Sequence, residues 1–148
     1  MRAVVQRVTE ASVRIDDETV GAIRNGLCVL LGVSVDDTEA DADYITDKLL
    51  GLRIFDDENG VPNRSVFDIS GAILLISQFT LLGDARKGRR PSYIFAARPE
   101  QAIPLYERCI ARLRQTVPVE TGRFGADMKV SIQNDGPFTI LLDSKKGF

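Results

Sequence analysis

Asn134-Asp135-Gly136-Pro137-Phe138-Thr139 sits between two segments, 128–133 and 138–143, that otherwise read as strands. Proline has no amide to give a sheet ladder, so it belongs at an edge, a bulge or a strand start, and the bond before it is where a cis peptide costs least. Two readings fit: an Asp-Gly hairpin turn whose second strand opens on proline, or a rigid backbone probe. A second string, Ser77-Gln78-Phe79-Thr80-Leu81, ends the apolar run 72–76 with polar groups. Bounded by Gly71 and Ser77, that run is expected to be a central strand.

Working outward, β-like runs at 2–9, 11–15, 18–23 and 27–33 are broken by the turn formers Asp16-Asp17 and Asn25-Gly26, the pattern of a meander. After Asp36-Asp37-Thr38, which can start a helix, Tyr44, Ile45, Leu49 and Leu52 recur at helical spacing over 40–52. Residues 65–68 are expected to form a short strand. Over 100–116, Ala102, Leu105, Tyr106, Cys109, Ile110, Leu113 and Val117 fall on one stripe, although Pro104 unsettles the first turns. A further strand is expected at 117–120. The fold class is therefore α/β (α+β): one domain over 1–148, a curved, mostly antiparallel sheet or β-barrel with two helices packed outside.

A chain of 148 residues suits one domain. The N-terminus alternates polar and apolar residues and carries neither a signal peptide's apolar core nor a membrane-spanning length, so a cytoplasmic protein without membrane contact is expected. Cys28 and Cys109 lie on apolar runs and read as core residues in a reducing compartment. A net charge of −2 excludes a protein that coats nucleic acid by bulk electrostatics. The one dense basic cluster, Arg86-Lys87-Gly88-Arg89-Arg90, is either a solvated loop or a local phosphate contact.

The sequence has no histidine, which removes imidazole-activated serine or cysteine nucleophiles and the usual imidazole metal ligands. No calcium loop, zinc set or phosphate-binding glycine loop is present, and no metal or cofactor is expected. Alternation along a strand would put Gln78 and Thr80 on one face and Ser77, Phe79 and Leu81 on the other. There, Ser77 and Thr80 either cap loose strand backbone or, with the local amides, bind a carbonyl under attack. Gly122-Arg123-Phe124-Gly125-Ala126-Asp127-Met128 is a flexible connector or a loop that lets backbone approach a ligand.

In this order, these strings resemble the bacterial D-aminoacyl-tRNA deacylases. The resemblance runs end to end, through Met1-Arg2-Ala3-Val4-Val5-Gln6-Arg7-Val8, Leu52-Arg53-Ile54-Phe55, Ser77 to Leu81, Lys87-Gly88-Arg89-Arg90-Pro91-Ser92, Gly122 with Phe124-Gly125-Ala126-Asp127-Met128, and Asn134-Asp135-Gly136-Pro137. Phe138 departs from it, since valine is commoner there. The resemblance implies a homodimer that hydrolyses the ester between a D-amino acid and tRNA, and that also accepts glycyl-tRNA. It implies catalytic roles for Ser77, Gln78, Phe79 and Thr80, and a cis Gly136-Pro137 peptide that enters the partner's site and excludes L substrates. It further implies a substrate pocket from Phe124, Gly125, Ala126, Met128 and Asn134, and makes Arg86, Lys87, Arg89 and Arg90 candidates for tRNA contact. Of two mechanisms, Thr80 as a nucleophile lacks an evident base; carbonyl binding with help from the ribose 2′-hydroxyl is the favoured route.

Overall fold

The computed structural model describes residues 1–148. β1 (Arg2–Ile15), β2 (Glu18–Ile23) and β3 (Gly26–Gly32) form the expected meander, with β1 antiparallel to both neighbours. Asp16 and Asp17 make the first turn at φ 48° and 64°, left-handed backbone that a two-residue hairpin requires and aspartate tolerates. α1 (Glu39–Gly51) starts after Thr38, whose N–H donates to the Asp41 carboxylate at 2.8 Å. β4 (Phe55–Asp56) and β5 (Pro62–Arg64) pair as a small separate ribbon. β6 (Ala72–Ser77), a single 3₁₀ turn (Phe79–Leu82), α2 (Pro99–Arg114), β7 (Val119–Thr121) and β8 (Lys129–Asp143) complete the chain.

The main sheet runs β2-β1-β3-β6-β7, and β8 lies along the other side of β1. Its β3-β6-β7 end is parallel: β3 pairs with β6 and β6 with β7, because α1 and α2 lie on the crossovers between them. That is the main departure from a mostly antiparallel expectation, since crossover pairing leaves no local turn to read. The ends of the sheet nearly meet. A β-carbon on Gly21 of β2 would lie 2.7 Å from the Thr121 carbonyl oxygen of β7, so only glycine permits this approach.

The two expected runs 2–9 and 11–15 are one bent strand. Ala3 and Val5 face the helices, whereas Val8, Ala11 and Val13 face the barrel interior, and the register against β8 shifts between Val8 and Glu10. A bulge that changes the alternation phase accounts for both facts. The interior cluster adds Ile23, Cys28, Leu74 and Ile76. On the other face, Leu27, Val29, Leu31, Ile73 and Leu75 pack under Ile45, Leu49, Leu105, Cys109 and Leu113 of the two helices.

α2 continues through Pro104, whose place near the N-terminus limits the lost hydrogen bonding to the first turns. Residues 65–68 form a turn instead of a strand: Ser65 N–H donates to Asp68 Oδ2 at 2.9 Å and Asp68 N–H to Ser65 Oγ at 3.2 Å. Such local side-chain bonds compete with ladder formation. Both cysteines are free and buried, and burial pushes the Cys28 thiol up to about 11 and the Cys109 thiol to about 12. No helix is long and apolar enough to cross a membrane.

Candidate active site

β6 ends at Ser77, and the strand alternation expected beyond it gives way to the 3₁₀ turn. The Gln78 amide is consumed by the Leu31 carbonyl of β3 at 2.7 Å, and the turn's first internal bond runs from Leu81 N–H to the Gln78 carbonyl. The amides of Phe79 and Thr80 therefore precede the first turn bond and have no partner inside it, as at any helix start. They are two adjacent donors at an exposed surface, the geometry an oxyanion needs. Gln78 Nε2 donates to Thr80 Oγ1, so the threonine hydroxyl accepts here and its own proton is free. Neither Ser77 nor Thr80 caps the strand.

The turn is seated on Gly32 of β3. A β-carbon there would meet Leu82 Cδ2 at 2.6 Å and the Gln78 carbonyl oxygen at 2.9 Å. Gly32→Ala must displace the turn, and its expected result is a fall in kcat of about ten- to a hundredfold, the scale set by ångström misplacement of reacting groups. Steady-state kinetics beside a thermal melt checks this; unchanged kcat in a folded variant contradicts it.

Ser77, Gln78 and Phe79 share a narrow cleft with Phe124, Tyr106 and Ala97. Tyr106 is fixed by its hydroxyl, which donates to the Leu75 carbonyl at 2.7 Å, and its ring lies 6.1 Å from that of Phe124. Of the residues grouped with Phe124 from sequence, Gly125 is exposed at φ 77° and Ala126 N–H closes a turn onto the Arg123 carbonyl at 3.2 Å. Met128 packs against the interior cluster, beneath Gly122, and so lies on the opposite side of the sheet wall from Phe124. Asn134 belongs to a different place altogether.

The Gly-Pro string lies within β8 and forms no hairpin turn. β1 pairs Gln6 with Thr139 and Val8 with Asn134, so residues 135–138 bulge out opposite Arg7 alone. The Gly136–Pro137 bond is cis. Arg7 holds this excursion: Nε donates to the Asp135 carbonyl at 3.1 Å, Nη2 to the Gly136 carbonyl at 3.4 Å and Nη1 to the Ile54 carbonyl at 2.8 Å. The Asp135 and Asp56 carboxylates lie 3.2 and 3.5 Å from the same guanidinium, which is almost wholly buried. Asn134 Nδ2 closes the base by donating to the carbonyls of Arg7 at 3.0 Å and Phe138 at 3.1 Å.

Arg7, which anchors the excursion, is the residue of this place that sequence reading missed. A signal existed: Ala3, Val5 and Arg7 share the core-facing phase of β1, and a charge on that phase needs dedicated partners.

Within one chain the excursion and the 3₁₀ turn are far apart. Ser77 pairs with Leu31 and Leu31 with Ala3, whereas Arg7 stands four residues further along β1. That is about 13 Å along the strands, and the three steps from β8 through β1 and β3 to β6 add about 14 Å across them. An excursion of four residues cannot bridge this.

The basic stretch lies on a loop pinched by reciprocal bonds between Asp84 and Ser92 at 2.8 and 2.9 Å. Arg86 is tied back by two bonds to the Asp84 carboxylate, at 2.9 and 2.7 Å, and this holds the Asp84 carboxyl down to about 2. Lys87, Arg89 and Arg90 are exposed and form no ion pair, so the free charge of the cluster resides in them.

Residues 4–143 match the family model described as D-Tyr-tRNA(Tyr) deacylase. Over 150 residues the chain is 57% identical to the D-aminoacyl-tRNA deacylase of Thermosipho melanesiensis, and over 149 residues 58% identical to that of Syntrophomonas wolfei, with all of each chain covered. Among solved structures, one titled c-Myc DNA Unwinding Element Binding Protein superimposes with a TM-score of 0.91 at 46% identity, covering 97% of this chain and 98% of its own.

Proposed function

The chain belongs to the D-Tyr-tRNA(Tyr) deacylase family and is a D-aminoacyl-tRNA deacylase, an ester hydrolase; from that premise we propose that two copies assemble so that residues 135–138 of each complete the other's 77–80 site and give it a chiral filter. The observation that carries this reading is the register of β1. It separates the strings 77–80 and 135–138 by more than one chain can span, while each is built as half of a site: free amide donors at one, an exposed, anchored run of carbonyls at the other.

In this assembly the Phe79 and Thr80 amides take the ester carbonyl oxygen, and Phe124 with Tyr106 walls the cleft. The Gly136 carbonyl, held by Arg7, and the Pro137 carbonyl next to it fill the space that an L side chain would need. A D side chain points away from them, so selection works by exclusion and tolerates many D-amino acids. Glycine has no side chain to exclude, and glycyl-tRNA, including glycine mischarged on tRNA-Ala, passes the same filter. The experiment is a paired assay of D-tyrosyl-tRNA and L-tyrosyl-tRNA with the purified protein. D-Tyrosine is released at least about a hundredfold faster on this reading; equal rates overturn the filter.

Lys87, Arg89 and Arg90 contact the acceptor-arm phosphates. Replacing all three with alanine is expected to reduce the slope of log affinity against log salt by about 2 to 3, since each phosphate contact accounts for roughly 0.7–0.9. Arg86→Ala, which removes a charge already neutralised by Asp84, changes the slope by less than about 0.5. Binding titrations over a range of salt concentrations decide it, and an unchanged slope in the triple variant places tRNA elsewhere.

A further inference from the structure

The Arg7 guanidinium spends its edge on three carbonyls and two carboxylates, leaving its two flat faces. The guanidinium carbon lies over the Phe138 ring, 4.4 Å from its centroid. Phe138 is half-buried against the helix-side core and belongs to the same excursion that Arg7 holds by its carbonyls. The contact thus closes a loop on itself: Arg7 grips residues 135 and 136 by hydrogen bonds, and residue 138 returns to stack on Arg7. Edge bonds fix the guanidinium in its own plane but restrain its tilt only softly, because a hydrogen bond tolerates tens of degrees of misalignment, and the 3.4 Å bond to the Gly136 carbonyl is the longest and most easily lost of them.

We propose that Phe138 is a positioning residue for stereoselection: its ring, stacked on Arg7, fixes the guanidinium tilt and so holds the Gly136 carbonyl where the chiral filter needs it. The effect depends on the quadrupole of an aromatic face beside a desolvated cation; it is this chain's own addition where valine is commoner, and in this chain's packing an aliphatic side chain of similar bulk does not reproduce it. The inference rests on the filter set out above, and its test separates the two.

The test compares Phe138→Leu and Phe138→Tyr with the unaltered full-length protein in two readouts. The first is the ratio of kcat/KM for D-tyrosyl-tRNA to that for L-tyrosyl-tRNA. Phe138→Leu is expected to lower this ratio about tenfold at an unfolding midpoint close to the original, and Phe138→Tyr to keep it within about twofold. The second readout needs no turnover: hydrogen exchange of the Arg7 Nε–H by NMR, expected to accelerate about tenfold in Phe138→Leu and to stay unchanged in Phe138→Tyr. In an Arg7→Met background, Phe138→Leu is expected to have no further effect on the ratio. An unchanged Nε–H exchange in Phe138→Leu overturns the inference, as does a Phe138→Tyr variant that behaves like Phe138→Leu. A parent protein that fails to distinguish the two esters, with the exchange pattern as expected, overturns the filter and leaves the clamp standing.

Discussion

Arg7→Ala is expected to destabilise the fold by about 3 kcal/mol and to abolish stereoselective deacylation, the largest effect of any single substitution outside the hydrophobic core. Its side chain is 8% exposed and supports the carbonyls of Ile54, Asp135 and Gly136. Removing one partner of a buried, hydrogen-bonded charge strands the others, and such breaks cost on the order of 3–5 kcal/mol. Asp56 and Asp135 are about half exposed and keep their water, which places the loss at the lower end of that range. Arg7→Lys keeps the charge but lacks a fork that reaches several carbonyls at once, so it is expected to recover part of the stability and little of the selectivity. Urea unfolding with single-turnover assays on both tyrosyl esters measures the two losses. A variant within about 0.5 kcal/mol of the parent, with its selectivity intact, would show that Arg7 anchors nothing.

The second large effect is expected in the substrate. D-Tyrosyl-tRNA ending in 2′-deoxyadenosine should be cleaved about 10² to 10³ times more slowly than the ribose form, because the 2′-hydroxyl stands in for a missing protein base. No histidine exists in the chain, and the hydroxyl of Thr80 is hydrogen-bonded to the Gln78 amide nitrogen, with no carboxylate or lysine on it. A threonine in that setting has nothing to take its proton. On the proposed reading the protein supplies the pair of amides at Phe79 and Thr80, worth about 3 kcal/mol to an oxyanion, and a fixed place for an already labile ester. Thr80→Ala leaves both amides in place and is therefore expected to cost less than about tenfold in the single-turnover rate. Near-complete loss in Thr80→Ala with unimpaired cleavage of the deoxy substrate would instead make the threonine a nucleophile.

What could be read in advance follows from how local each signal is. The helix over 40–52 formed as Glu39–Gly51 and that over 100–116 as Pro99–Arg114, because the 3.6-residue apolar stripe is written in neighbouring residues. The meander turned at Asp16-Asp17 as expected, since a left-handed turn leaves a compositional mark. The parallel pairing of β3, β6 and β7 left none, because it is settled by crossovers through two helices. The bulge at Thr9 and Glu10 joined two expected strands, and β8 likewise carried 128–133 and 138–143 as one strand with its excursion between. At the candidate site, the polar string after Ile76 coincides with the end of β6, but strand alternation assigned its faces wrongly: the backbone turns at Phe79, and the free donors are the amides of Phe79 and Thr80 while that of Gln78 is spent. The pocket that the family resemblance implied put Met128 and Asn134 with Phe124, whereas within this chain the sheet wall separates Met128, and the excursion claims Asn134.

Whether one copy's excursion serves the other's site can be asked by complementation. Gly136→Leu alters the exposed excursion without crowding its own chain, where a β-carbon would meet only Asn134 Oδ1 at 3.8 Å, and leaves that chain's 77–80 turn intact. Gly32→Ala displaces the turn and leaves the excursion intact. Each variant alone is expected to be nearly inactive toward D-tyrosyl-tRNA. Equal amounts unfolded and refolded together should recover about a quarter of the parent activity, because half of the random pairs are mixed and each mixed pair holds one whole site. Activity no greater than the mean of the two separate variants would mean that the excursion acts within its own chain or not at all.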